Sequence, residues 1–401
     1  MDNIDRDYIV NVAKQHKTFK EISEFLKATN PGVRGFSERS VKRYCSKHDI
    51  RLRINQQKIE NIVASAVKEV GPTYGRKMMT GYIKQKHGFN VSQKRIGKAL
   101  STVSPAYHAR RQTDTARSVN PIPYRADYFG HKLHIDQNEK LVMYGTTHVV
   151  ALDGHSRFVV AAATMPVKSN PVIYSHIYRK VLTTYCMFDQ VRVDHGREFF
   201  LMLGMQEYLA NIRGDQLSLP YQQTESKRNL PIERFWVEVN GRVNYPIKSI
   251  LVDMDNSLII DMNNNIHKFC VSFVTCKAAN FGLQTLVRAW NCHPIPGRGV
   301  PLNIKEMTTR YPPVQQSNVP DTATAMQIYN QTYQGRISEP NQFGDDPLKD
   351  HPQFLANRNR EFNEICNIEQ IYNDVVNEND RSFRHAVHCF IDITERYNAL
   401  L

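Results

Sequence analysis

At 401 residues and 41% hydrophobic composition the chain is too long for a single small module and can build two or three domains, at least one with a sizeable core. Its net charge of +13 is unevenly spread: residues 1–125 hold 25 Lys and Arg against 10 Asp and Glu, and the remainder holds 27 against 29. A basic front third points to a polyanion, nucleic acid first, while the lack of any apolar run near the roughly 20 residues of a membrane span or of a signal core makes an intracellular protein with no membrane partner the expectation.

Residues 1–54 read as a helical unit closing on "GFSERSVKRYCSKHDI". Ser37 can cap a helix that turns Val41, Tyr44 and Cys45 inward and Arg39, Lys42, Arg43 and Lys47 outward. That is the pattern of a helix-turn-helix recognition helix; a basic surface helix on a packing domain is the plainer alternative. Residues 55–108 repeat the theme. Ile59, Ile62, Val63, Val67 and Val70 recur at helical spacing, "GPTYG" breaks the chain, and Met78, Met79, Tyr82 and Ile83 form a second apolar face. A third helix starts after Ser92 and is expected to expose Lys94, Arg95 and Lys98. Residues 109–130 lack periodicity, carry prolines, and read as a basic linker in which Arg110, Arg111 and Arg117 can meet phosphates or merely solvent.

From residue 131 the texture changes. "HKLHID", "GTTHVVALD", "RFVVAAATM" and "DQVRVD" are rich in β-branched residues and are followed or separated by helical stretches near 170–185 and 198–211; a further strand is expected at "DQLSLPY". Three strands in close succession, then helix, strand and helix, predict an α/β fold over residues 131–246, a mixed sheet flanked by helices. Residues 247–310 extend it with two helices ending in "LVRAWNCHPIPGRG". Residues 311–360, rich in Pro, Asn, Gln and Asp, predict an extended connection, and 361–401 predict two amphipathic helices that dock on the body or, as a second reading, take a protein partner.

The seven scattered cysteines fit reduced thiols better than a disulfide framework. His267, Cys270, Cys276 and Cys292 are near enough in sequence to suggest zinc. However, Ile266, Cys270, Phe273 and Val274 fall on one helical face, so buried thiols are the stronger reading.

Three acidic residues are placed suggestively. Asp136 is expected to end the strand "HKLHID", Asp194 ends "DQVRVD", and Glu233 opens the helix in "KRNLPIERFW". Alone, each has an ordinary explanation: a turn for the aspartates, a helix N-terminus for the glutamate. Asp153 falls to a strand-to-strand turn. Brought to one sheet edge, however, bare carboxylates repel, and a pair of hard divalent cations is the usual compensation.

The blocks "HID" (134–136), "LDGHSRFVV" (152–160), "VRVDHGREF" (191–199) and "RNLPIERFW" (228–236) resemble, in order, the integrase core of retroviral and transposon DDE enzymes. "AWNCHP" (289–294) adds a closer likeness to integrase-core proteins of Ginger-type elements. The likeness spans residues 55 to 310, since "YGRKMMTGYIKQKHGFNVSQKRI" is similar to the helix-turn-helix that precedes such cores. It implies an RNase H-like mixed five-stranded sheet with flanking helices, preceded by all-α helix-turn-helix units. It further implies Asp136, Asp194 and Glu233 as ligands of two Mg²⁺ or Mn²⁺ ions. Asn229 would be a loop or substrate contact, Lys227, Arg228 and Arg234 would flank the DNA phosphates or simply form a solvated helix start, and His195 and Arg197 would orient substrate or shape the turn.

The implied partners are DNA and further copies of the chain, because two DNA ends must be joined, and a nuclear location follows if the host is eukaryotic. The sequence departs from the pattern at Leu133, where many such cores have Trp, in "RNLPIE", which lacks the His-Asn-Gln of the nearest relatives, and in having no His-His-Cys-Cys module ahead of the core. None of these removes a ligand. The implied activity is that of a DNA integrase or transposase, a polynucleotidyl transferase that cuts and joins strands. A domesticated DNA-binding protein without strand transfer and a nuclease that only hydrolyses are the alternatives.

Overall fold

The computed structural model describes residues 5–15, 18–48, 50, 55–88, 90–108, 125–214, 219–224, 230–333, 337 and 342–401. The basic front folds as two helical trios. The first is α1 (Arg6–Gln15), α2 (Phe19–Thr29) and α3 (Glu38–Lys47). Ser37 caps α3 by accepting from the Ser40 amide at 3.2 Å, and Ile9, Ile22, Leu26, Phe36, Val41 and Cys45 close a small core of their own.

The second trio is α4 (Gln56–Val70), α5 (Arg76–His87) and α6 (Gln93–Val103). Asn55 caps α4 through the Lys58 amide at 2.7 Å, whereas Ser92 stands at the N-cap of α6 without a side-chain capping bond. The apolar faces of this trio do not form a separate core. They merge with those of the helices beyond the sheet, so α4–α6 is packed onto the body of the protein.

The sheet comprises β1 (Lys132–Leu141), β2 (Thr146–Asp153), β3 (Val159–Met165), β4 (Gln190–Val193) and β5 (Tyr221–Gln223), in the order β3-β2-β1-β4-β5. The first three strands form an antiparallel meander, and β4 and β5 run parallel to β1. Every residue of β2, which lies between β3 and β1, is buried, because the sheet is covered on both faces. One face, carrying Ile135, Val149, Ala151 and Val160, packs against α7 (residues 170–184, π-helical over Tyr174–Arg179) and α8 (Phe200–Arg213). The other, carrying Val150, Leu152 and Val159, packs against α9 (Leu230–Val239), α10 (Tyr245–Asn256) and the 28-residue α11 (Asn265–Cys292). A mixed five-stranded sheet in this order, with helices on both faces and an all-helical front, is the RNase H-like fold expected.

Several sequence expectations need correction. β1 continues five residues past Asp136, which lies mid-strand and not at its end. The last strand occupies Tyr221–Gln223, at the end of the predicted stretch, most of whose earlier residues are outside those described. Residues 311–360 are not simply an extended connection. They contain α13 (Thr322–Tyr333), following α12 (Pro301–Thr308), with Val319 and Ala325 buried in the sheet core, and the start of α14 (Pro352–Ile365). Alternating polar residues there conceal short apolar anchors.

The C-terminus has three helices, α14, α15 (Ile368–Val376) and α16 (Arg381–Asn398). They dock on α11 through aromatic packing in which Phe273 stacks on Phe390 with centroids 4.2 Å apart. Arg358, almost wholly buried, locks this layer through paired bonds to Asp346 at 2.6 and 2.9 Å. Cys270 is buried in the same contact, its thiol 3.9 Å from the Phe390 carbonyl. No helix among the described residues is long and apolar enough to cross a membrane.

Candidate active site

The geometry of the acidic trio follows from strand register. β1 and β4 pair in parallel as Lys132 with Gln190, Leu133 with Val191 and His134 with Arg192. Asp194 is the residue just beyond β4, two positions past Arg192 as Asp136 is past His134 on β1, and its negative charge acts on Asp136. The sheet face bearing Val150, the antiparallel partner of Asp136, is roofed by α9. Glu233 lies in the first turn of α9. Trp236, one turn on, donates its indole N–H to Asp136 Oδ2 at 2.9 Å and thereby fixes the glutamate's helix over the aspartate.

Each carboxylate has a distinct setting. Asp136 is 5% exposed; its Oδ1 accepts from the Gln137 amide at 2.9 Å. Burial, aided by the negative charges of Glu233 and Asp194, outweighs the two hydrogen bonds and raises its carboxyl to about 7. The three groups therefore interact electrostatically. Asp194 Oδ1 accepts from the Gly196 amide at 3.0 Å in the turn after β4. Glu233 is half-buried, and burial raises its carboxyl too.

Around this trio lies a supporting set that sequence reasoning missed. Asn138, two residues along the same face as Asp136, bonds to Asn240 at 2.9 Å and to Asn244 at 3.0 Å; Asn244 also meets His148 at 2.9 Å, and His148 reaches Thr164 at 2.8 Å. Asn240 and Asn244 sit at the two ends of a π-helical turn between α9 and α10, a widening of the helix common at functional sites. Burial lowers the His148 imidazole to about 4, so it serves as a neutral bridge. The signal available in sequence was the polar alternation His-x-Asp-x-Asn in β1, unusual for a strand buried on both faces.

On the other flank, Lys168 pairs with Glu139 of β1 and, at 3.3 Å, with Glu198 after β4. The Glu198 carboxylate folds back over Gly196, 2.6–2.7 Å from where a Cβ there would stand. The block "AWNCHP" is structural. Asn291 bonds both the amide and the carbonyl of Val159 on β3 at 2.8 and 3.0 Å, and Trp290 packs edge-on against Phe235 of α9 with centroids 5.1 Å apart.

Asp153 is internal as well. Its carboxylate accepts from the Gly130, His155 and Ser156 amides and from the Ser156 hydroxyl.

The predicted DNA-contacting residues are only partly brought to the acidic trio. Arg39, Lys42 and Arg43 are exposed on α3, and Lys94 and Lys98 are exposed on α6. Arg95 is half-buried instead, its Nε 3.4 Å from Gln56 Oε1, because α4 covers that side of α6. Arg234 is exposed beside Glu233, and His195 and Arg197 are exposed beside Asp194. Lys227, Arg228 and Asn229, with Arg110, Arg111 and Arg117, lie outside the described residues.

Oxygen-only donors carrying mutual repulsion suit a hard divalent cation better than zinc or copper. Among the described residues no three His, Cys, Asp or Glu side chains form a ready-made metal cluster.

Residues 124–301 match the family model of the integrase core domain. This segment is similar to integrase cores. The match covers the whole sheet, α7 to α11 and the block "AWNCHP", and leaves out α1–α6 and α13–α16. No curated protein matches the chain. Integrase cores belong to a polynucleotidyl-transferase-like family, and both Asp136, with its open carboxylate neighbours, and the internally bonded Asp153 fall within the matched segment.

Proposed function

We propose that this protein binds DNA and cuts and joins its strands at the Asp136–Asp194–Glu233 edge. The observation that supports this reading is the setting of Asp136, whose carboxyl is raised by burial and by the negative charges of Glu233 and Asp194 and has no basic side chain among its described hydrogen-bond partners. Asp136, Asp194 and Glu233 would hold two Mg²⁺ or Mn²⁺ ions, whose chemistry is to activate an attacking oxygen and to stabilise charge on a phosphodiester. The chain's own groups do the rest. Trp236 and the Gln137 amide orient Asp136, the Gly196 amide orients Asp194, and α9 carries Glu233 against both.

The exposed cations of α3 and α6 and Arg234 supply sequence-independent attraction to phosphates, and α3 and α6 serve as helix-turn-helix readers. "AWNCHP" and the order of blocks support a Ginger-type ancestry. The test is a strand-transfer assay with short duplexes of varied ends, a supercoiled plasmid and Mn²⁺, with Glu233→Gln in parallel. Joined products from the native chain alone establish the transferase; nicks without joints make it a nuclease; DNA binding without either makes it a domesticated binder.

A further inference from the structure

The helical trio α4–α6 carries a groove of about 610 Å³. Arg76 from the start of α5 lines one side, Gln93, Lys94, Lys98 and Ser101 of α6 line the other, and His108 adds a further polar group; none of its described lining residues is acidic. Cations, an amide and a hydroxyl around an open furrow are the donor set that holds phosphate oxygens.

What gives the groove a direction is the way α5 is mounted. Gly81 of α5 lies so close to α11 that a Cβ there would stand 2.5 Å from the Ala289 carbonyl. α11 in turn holds α9 through the Trp290–Phe235 contact. Arg242, just after α9, donates to the Thr73 carbonyl at 3.3 Å and lies over the Tyr74 ring, 5.1 Å from its centroid, immediately ahead of α5. The first turn of α5 is thus fixed beside α9. In that turn burial lowers the Lys77 ammonium, and the positive charges of Arg76 and Arg234 lower it further. Arg234 is the residue after Glu233. Three like charges side by side are unfavourable in the chain alone and become favourable against a polyanion.

We infer that the α5–α6 groove and the start of α9 form one continuous phosphate track, along which DNA held by Arg76, Lys94 and Lys98 passes Lys77 and Arg234 to reach Glu233 of the same chain. The inference rests on the DNA reading above and adds a geometric constraint to it. α4–α6 is not a reader swinging on a linker; α11 fixes its distance from the acidic edge, so the phosphate presented to Glu233 lies at a set spacing from the segment held in the groove.

The test measures binding alone, so a failed joining assay leaves it intact. Affinity for one fluorescently labelled duplex is followed by anisotropy from 50 to 200 mM salt for the native protein, for Arg76→Ala/Lys94→Ala/Lys98→Ala, and for Lys77→Gln/Arg234→Gln. The slope of log affinity against log salt should fall by about 0.9 for each phosphate deprived of its cation, hence by about 2.7 in the groove variant and about 1.8 in the bridge variant. Ser101→Glu, a single exposed change, should weaken binding to the same duplex and guards against misfolding of the multiple variants, whose folded state is checked by thermal melting. An unchanged slope in the folded bridge variant would show that the groove serves a separate ligand. An unchanged slope in the folded groove variant, or undiminished binding by Ser101→Glu, would show that no nucleic acid occupies it; either result overturns the track.

Discussion

Replacing Asp136 with Asn should remove a pH dependence of stability that the native protein carries in the absence of divalent cations. The carboxyl of Asp136 is held at about 7 in the folded chain, against an ordinary value of 3.8. A folded-state value above the unfolded one means that the folded chain binds the proton more tightly. The stabilisation is fully present below pH about 4 and is lost as pH rises through about 7. Between pH 8 and pH 5.5 the linkage amounts to about 2 kcal/mol, and the whole gap between the two values to roughly 4 kcal/mol.

The assay is urea unfolding of native and Asp136→Asn protein in chelator at both pH values, read as the difference between the two proteins so that other titrating groups cancel. The native chain should gain about 2 kcal/mol relative to the variant on acidification. Mn²⁺ at pH 8 should stabilise the native chain and not the variant, because the cation supplies the missing positive charge. Parallel pH profiles for the two proteins in chelator would refute the buried, raised carboxyl of Asp136 on which the proposed centre depends.

Three further outcomes follow from single contacts. Trp236→Phe removes the indole donor to Asp136 and should move the native pH midpoint of that linkage upward, by about one pH unit for a charged hydrogen bond worth about 1.5 kcal/mol, as read by the same unfolding series. Lys168→Met leaves Glu139 and Glu198 without their shared cation; with one positive charge fewer on this flank, Mn²⁺ affinity measured calorimetrically should rise several-fold while the melting temperature changes little, since both ion pairs are partly exposed. Arg358→Met strands Asp346 in a buried contact and should cost about 3–5 kcal/mol by denaturant unfolding, whereas the double replacement Arg358→Met/Asp346→Leu should recover much of it.

Much of the core was legible because its signals are local. β-branched runs mark the strands, Ser37 marks a helix start, and the spacing of Val41, Tyr44 and Cys45 marks an inward face, all of which the structure reproduces. What was not legible depends on contacts between distant residues. The extension of β1 beyond Asp136 arises because β2 pairs with it as far as Leu141, which no local pattern in "QNEKL" announces. Arg95 sits in a regular basic helix face, yet Gln56, 39 residues earlier, covers it. Trp236 and Asn244 could be recognised as polar partners only once α9 was laid across β1. The helices within 311–360 were hidden by a polar composition in which few residues, Val319 and Ala325 among them, are buried.

The contrast between two buried aspartates bears most directly on function. Asp153 and Asp136 are both raised by burial, and both lie on the sheet. Asp153 takes four donors: the His155 and Ser156 amides and the Ser156 hydroxyl of its own turn on Oδ2, and the Gly130 amide ahead of β1 on Oδ1. Its charge is used up within the fold. Asp136 takes two donors, the Gln137 amide and the Trp236 indole, one on each oxygen. A neutral side chain of the same shape would be cheaper in an apolar setting with two other carboxylates nearby. The fold alone thus gives no reason for an anion at 136. The negative charges of Glu233 and Asp194 that act on it raise its cost further, and the divalent cation proposed above is what would offset it.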